Sequence, residues 1–154
     1  PPSRLESKLA DLRKSAKAGF VALLRQNGEV VKNERGGYPA LEAVQSSVQL
    51  MEDSPYFNAG CGSSLTSAGH VEMDAIIACG KPLNFGAVTS VTSFQNPVTV
   101  ARCVLENSKH CLFTAEGAHQ FGLQQGFKLV DQDRLVHQFA KVRVTSFFVV
   151  DAAL

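Results

Sequence analysis

Apolar positions in this chain follow two rhythms, one of three and four residues and one of two, separated by breaks at glycine and proline. Leu5, Leu9, Leu12, Ala16, Phe20 and Leu23 recur at helical steps and predict one apolar face of an amphipathic helix. Lys8, Asp11, Lys14 and Lys17 fall on its other side, as a solvated face, and Ser3 with Glu6 has the spacing of a capping box. Asn27-Gly28 reads as the stop of this helix, and the polar EVVKNERGG after it as a surface excursion. Leu41, Val44, Val48 and Met51 repeat the helical step, with Pro39 near the first turn and Pro55 ending the element.

The rhythm then changes. FNAGCGSS is too small in side chain to fill a core, but it lets the backbone bend and expose its N–H and C=O groups. Val71, Met73, Ala75 and Ile77 alternate with Glu72, Asp74, Ile76 and Ala78, which predicts a strand. Gly80-Lys81-Pro82 turns the chain into NFGAVTSVTSF, a second strand antiparallel to the first, where Gly86 marks a close backbone approach or a bulge. Asn96-Pro97 reads as an N-cap and first-turn proline for a helix through Val98, Ala101, Val104 and Leu105. HCLFTA follows as a short strand, EGAHQFGLQQG as a helix closed by Gly126, LVDQDRLVHQFAK as a further turn and VTSFFVV as a last strand. The stretch from Asp53 to Thr92 is thus a loop and hairpin between helices. No repeat or linker divides the chain, so a single domain over residues 1–154 is expected.

Composition narrows the class. Hydrophobic residues make up 45% and charged residues 19% of the 154, which is globular rather than disordered. A net charge of +1 gives no electrostatic reason to expect nucleic acid or an anionic membrane. No apolar run approaches the ~20 residues of a membrane span, and PPSRLESK lacks the hydrophobic core of a signal peptide. Cys61, Cys79, Cys103 and Cys111 sit at irregular spacings, which reads as reduced thiols in a cytoplasmic protein.

Side-chain chemistry alone is sparse. GCGSS lacks the lysine of a phosphate loop and follows a helix rather than a strand. Cys61 is a candidate nucleophile with His70, His110, His119 or His137 as base, against the alternative of a small buried thiol. Glu72 and Asp74 share a strand face as paired carboxylates would, or as the polar end of a strand would.

EDSPYFNAGCGSSLTSAGHVEMDA resembles the α-subunit of the plant-type asparaginase and isoaspartyl peptidase family, whose pattern there is E-D-x-P-x-F-N-A-G-x-G-S followed by G-x-V-E-M-D-A-S-I-M-D-G. GAVTSVTSFQNPVTVARCVLE and HCLFTAEGAHQFGLQQGFKLVD continue the likeness, which covers roughly residues 38 to 131. The resemblance implies an α+β fold, the αββα four-layer sandwich of N-terminal-nucleophile hydrolases, of which this chain is the α-subunit portion. It implies hydrolysis of asparagine and β-aspartyl peptides by a threonine freed through self-cleavage, whose own α-amine acts as base. It also implies a structural sodium ion, held by backbone carbonyls of Met51, Glu52, Ser54, Phe57, Ala59 and Cys61, and a supporting role for Asn58 in positioning the nucleophile. No other cofactor is implied.

The departures shape the expectation. The family's first strand, with its H-G-G motif, does not precede Pro1, and Ile76 and Cys79 stand where the family has serine and aspartate. The nucleophile segment G-T-V-G-A-V has no close counterpart; its nearest string begins Val144-Thr145, without the glycine. Two readings follow. In one, an amidohydrolase α-subunit works with a β-subunit or full-length homologue, with Thr145 the candidate nucleophile inside this chain. In the other, a truncated variant or pseudoenzyme is inactive and binds the full-length protein. Either leaves strand edges and sheet faces that need a partner.

Overall fold

A computed structural model describes residues 2–24, 39–81 and 83–142. The expected Asn27-Gly28 stop, the excursion after it and the terminal VTSFFVV strand lie outside the described residues.

Helix α1, Arg4–Leu24, starts at the capping box. Ser3 N donates to Glu6 Oε2 at 2.7 Å, and Glu6 N donates to Ser3 Oγ at 3.2 Å. Helix α2, Pro39–Glu52, packs on α1 through small residues rather than through leucines. Ser15 Oγ donates to Ser47 O at 2.7 Å and Ser47 Oγ returns a bond to Ser15 O at 3.1 Å. A Cβ on Gly19 would lie 2.3 Å from Ser47 Oγ, so the close approach needs that glycine. The expected apolar face is present but uncovered: Leu5 is 67% and Phe20 60% exposed, and Leu9 and Leu12 are exposed too. Two hydroxyl–carbonyl bonds and a glycine decide which face packs, and periodicity alone carries no such information.

Strand β1, Met73–Cys79, pairs antiparallel with β2, Asn84–Val91, as the alternation predicts. Helix α3, Pro97–Asn107, then crosses over to β3, Leu112–Thr114, which lies parallel to β2. Helices α4, Ala115–Gln124, and α5, Gln132–Leu135, follow. The three-stranded sheet has the order β1-β2-β3. Helices with this small sheet make an α+β fold.

One face of the sheet carries the core. Ile77, Val88 and Val91 bury against Val100, Val104 and Phe121 of α3 and α4. Of the two readings of Gly86, close approach holds: a Cβ there would come within 2.2 Å of Ala101 O and 2.3 Å of Leu105 N. The bulge falls elsewhere, between Met73 and Ala75. The opposite face is open. Ile76 and Leu112 both register with Ala87, and Ile76 (65%), Phe85 and Leu112 are exposed.

Polar ties fix the layers. Arg102, buried in α3, donates to Glu42 Oε1 (2.6 Å) and Gln45 Oε1 (2.7 Å) on α2 and to Glu106 Oε1 (2.8 Å) on its own helix. Gln132 of α5 bonds both backbone groups of Val71 and the carbonyl of Thr92. Among the described residues no helix is long and apolar enough to cross a membrane.

Candidate functional site

The site grows out of the end of α2. After Glu52 the chain turns sharply and forms a single 3-10 turn at Gly60–Gly62. Gly60 takes φ +55°, the left-handed region that glycine enters without strain. The two glycines also make room for carbonyls. A Cβ on Gly60 would sit 2.0 Å from Glu52 O, and one on Gly62 would sit 2.0 Å from Phe57 O and 2.9 Å from Ser54 O. Three of the six expected oxygens thus turn inward onto the glycine turn. Met51 O and Ala59 O each accept one backbone hydrogen bond, from Ser54 N and Gly62 N, and keep a second lone pair. The donor set suits a hard monovalent cation: neutral oxygens in a cradle that a methyl group would fill. Among the described residues no three His, Cys, Asp or Glu side chains gather to hold a metal.

Helix α1 steadies the same loop. Ser54 Oγ donates to Asp11 Oδ2 at 2.8 Å, and Lys8 Nζ lies 5.3 Å from the centre of the Phe57 ring. The Ser54 bond holds the Asp11 carboxyl below its ordinary value, outweighing its partial desolvation, with help from Lys14. Beside the loop lies a cavity of about 220 Å³, lined by Asn58, Ser63, Ser64, Glu72, Asp74 and Glu52 among others. Asn58 stands at its rim, where Oδ1 accepts from Ser64 N at 2.7 Å and the Nδ2 protons remain to donate.

Glu52 enters the site with its side chain as well as its carbonyl, which the sequence reading missed. It is 2% exposed, and Oε1 accepts from Val98 N at 3.0 Å, capping α3 from a distant element. Burial pushes its carboxyl up to about 7, against the Val98 and Asn96 hydrogen bonds and with the help of the Asp53 charge. Oε2 lines the buried side without a hydrogen-bond partner. The signal in sequence was an acid at a helix C-terminus, where the helix dipole disfavours it. Asn96 does occupy the N-cap position of α3, but its side chain donates to Asp53 Oδ1 at 3.0 Å instead of capping.

The other candidates separate. Asp74 Oδ1 accepts from Thr89 Oγ1 and, at 3.0 Å, from Ser90 N. Those bonds, Thr89 first, hold its carboxyl below the ordinary value, so it serves as a cross-strand acceptor. Glu72 lies just before β1, on the cavity wall, without pairing to Asp74. The Cys61 thiol is half-buried and raised by desolvation and then by the Asp53 charge, the reverse of an activated nucleophile. His110, His119 and His137 rest against Phe113, Phe94 and Phe139, and none of the described histidines hydrogen-bonds to Cys61. Thr145 lies outside the described residues.

The pattern of the family described as "Asparaginase" matches residues 4–147. An isoaspartyl peptidase/L-asparaginase of Danio rerio is 40% identical over 143 residues, 93% of this chain and 43% of that protein. The Homo sapiens protein of the same description is 44% identical over 110 residues, 71% of this chain and 36% of its own. A plant-type L-asparaginase of Pyrococcus furiosus is 49% identical over 92 residues, 60% of this chain and 30% of its own. The chain spans less than half the length of these relatives.

Proposed function

This chain belongs to the asparaginase family, and from that premise we propose that it is the α-subunit portion of a threonine-type amidohydrolase acting on asparagine and β-aspartyl (isoaspartyl) peptides. The observation that carries this reading is the loop, whose Glu52, Ser54 and Phe57 carbonyls converge on Gly60 and Gly62 beside Asn58. A sodium ion held by Met51, Glu52, Ser54, Phe57, Ala59 and Cys61 oxygens supplies fixed positive charge that stiffens the turn. Asn58, anchored through Oδ1, offers its Nδ2 protons to the hydroxyl oxygen of a threonine.

In the proposed reaction that hydroxyl attacks the amide carbon, and the threonine's α-amine takes the proton and delivers it to the leaving nitrogen. The C–N bond breaks, releasing ammonia from asparagine or an amine from a β-aspartyl peptide, and water hydrolyses the ester left on threonine. The open sheet face supports a second sheet packing there, completing a four-layer sandwich with a β-subunit or full-length homologue that brings the nucleophile. Thr145 is the alternative nucleophile within this chain.

A second reading, a catalytically inactive partner of the full-length protein, is favoured by one observation. Where the family has serine and aspartate, Ile76 is exposed on the open face and Cys79 is buried. Hydrolysis of asparagine and of a β-aspartyl dipeptide, with intact mass recorded, separates the readings. Turnover by the chain alone with cleavage before Thr145 assigns the nucleophile to Thr145. Turnover only after adding a relative's β-subunit supports the α-subunit reading. An uncut mass and no turnover in either mixture leaves the inactive partner.

A further inference from the structure

The cavity beside the glycine turn is lined by acids and carries no cation of its own. Glu52, Glu72 and Asp74 stand in its wall, and no lysine, arginine or histidine lines it. Burial gives it two ends: Glu52 is 2% exposed, whereas Glu72 and Asp74 are open to solvent. None of the three makes an ion pair with another described residue. The inner end is the informative one. Glu52 Oε1 accepts from Val98 N at 3.0 Å, but Oε2 is buried without a hydrogen-bond partner. Asn96 leaves it open, because its side chain donates to Asp53 Oδ1. A buried acceptor without a donor is costly, and a ligand that brings one removes the cost.

We propose that this cavity binds a primary ammonium group, which donates to Glu52 Oε2 and lies within the field of the Glu72 and Asp74 carboxylates. Three N–H donors on one small cation suit acceptors spread around it, and Ser63 and Ser64 add hydroxyl oxygens to the same wall. A metal ion fits less well, since among the described residues no three acidic side chains gather to share one. At about 220 Å³ the cavity is too large for a single water, and Met73 and Pro97 give it an apolar part. The ligand is therefore an amine on a short carbon chain rather than the free ammonium ion. Glu52 serves this site with its side chain and the glycine turn with its carbonyl. The site stands whether or not the chain takes part in hydrolysis; under the function proposed above, it faces the amine that leaves beside Asn58.

The test is thermal unfolding of the full chain titrated with ethylammonium chloride at fixed pH. Tetramethylammonium chloride, which has no N–H to give, holds the ionic strength, and the titration is repeated in high sodium. Ethylammonium raises the Tm along a saturable curve, as a ligand of the folded state does. Ammonium chloride needs a severalfold higher concentration, having no carbon to bury. Glu52→Gln keeps an oxygen for Val98 N but turns an N–H towards the cavity, and abolishes the ethylammonium shift. Glu72→Gln, at the exposed end, weakens binding about two- to fivefold. Backbone amide NMR of the unsubstituted chain locates the ligand without any substitution: ethylammonium moves the Ser64 and Met73 signals, which belong to the cavity wall. A Tm that ignores ethylammonium overturns the proposal, as does a shift kept in Glu52→Gln. A shift erased by sodium places the amine in the carbonyl loop and overturns it too. Ammonium binding more tightly than ethylammonium overturns the carbon-chain assignment and gives the site to the free ion.

Discussion

Asp74 shows how little of a carboxylate's role is written in its neighbours along the chain. Its place beside Glu72 allowed paired carboxylates or hydrogen bonding at the polar end of a strand, and the second holds: its oxygen is taken by Thr89 and Ser90 across the hairpin. A carboxyl held below its ordinary value contributes stability above that value and loses it as pH falls through the folded one. Thr89→Val removes the larger cause, so the Asp74 midpoint should rise towards 3.8, read from its side-chain NMR shifts. An unmoved midpoint would assign the shift to Ser90 N instead. Gly62→Ala tests the loop at the same scale. Its methyl meets Phe57 O, so on the proposed sodium site added sodium should raise the Tm of the unsubstituted chain but not that of the variant. Equal sodium-dependent stabilisation of both would count against the cradle.

Elements were legible where local chemistry fixed them. The capping box at Ser3 and Glu6, the alternation in β1 and the Gly126 stop of α4, where φ is +86°, were all readable because each is settled within a few residues. Contacts decided at a distance were not. The packing face of α1 depends on Ser47, the cap of α3 on Glu52, and the seating of Val71 on Gln132. Gly86 was legible as a special position, but only the backbone of α3 explains it. Gly86→Ala should therefore cost about 2 kcal/mol or more, seen as a lower urea midpoint at unchanged slope. Truncating Arg102, which joins α3 to α2, to alanine should cost about 1–2 kcal/mol in the same urea measurement, since the Glu42 and Glu106 carboxylates it leaves behind are more than a third exposed.

At the scale of the molecule, two apolar surfaces stand out among the described residues, the stripe on α1 and the Ile76–Phe85–Leu112 face of the sheet. They lie on different layers and have different shapes, one a ridge along a helix and the other a flat face. A flat, exposed sheet face invites non-specific association as well as a specific partner. Phe85→Lys should lower binding of a fluorescent apolar dye while costing about 1 kcal/mol or less of unfolding free energy, since the side chain is only partly buried. A large loss of stability would mean that this face is covered within the chain.

The loop that cradles Gly60 and Gly62 has a consequence for how this protein tolerates change. Its inward groups are backbone oxygens, which every residue type carries, so the identities of Met51 and Ala59 are free to drift while the oxygens stay in place. The two glycines have no such latitude, because any side chain occupies the space the oxygens face. A saturation library across the loop would accordingly be permissive at Met51 and Ala59, restricted at Glu52, Ser54 and Phe57, whose side chains make contacts of their own, and closed at its two emptiest positions.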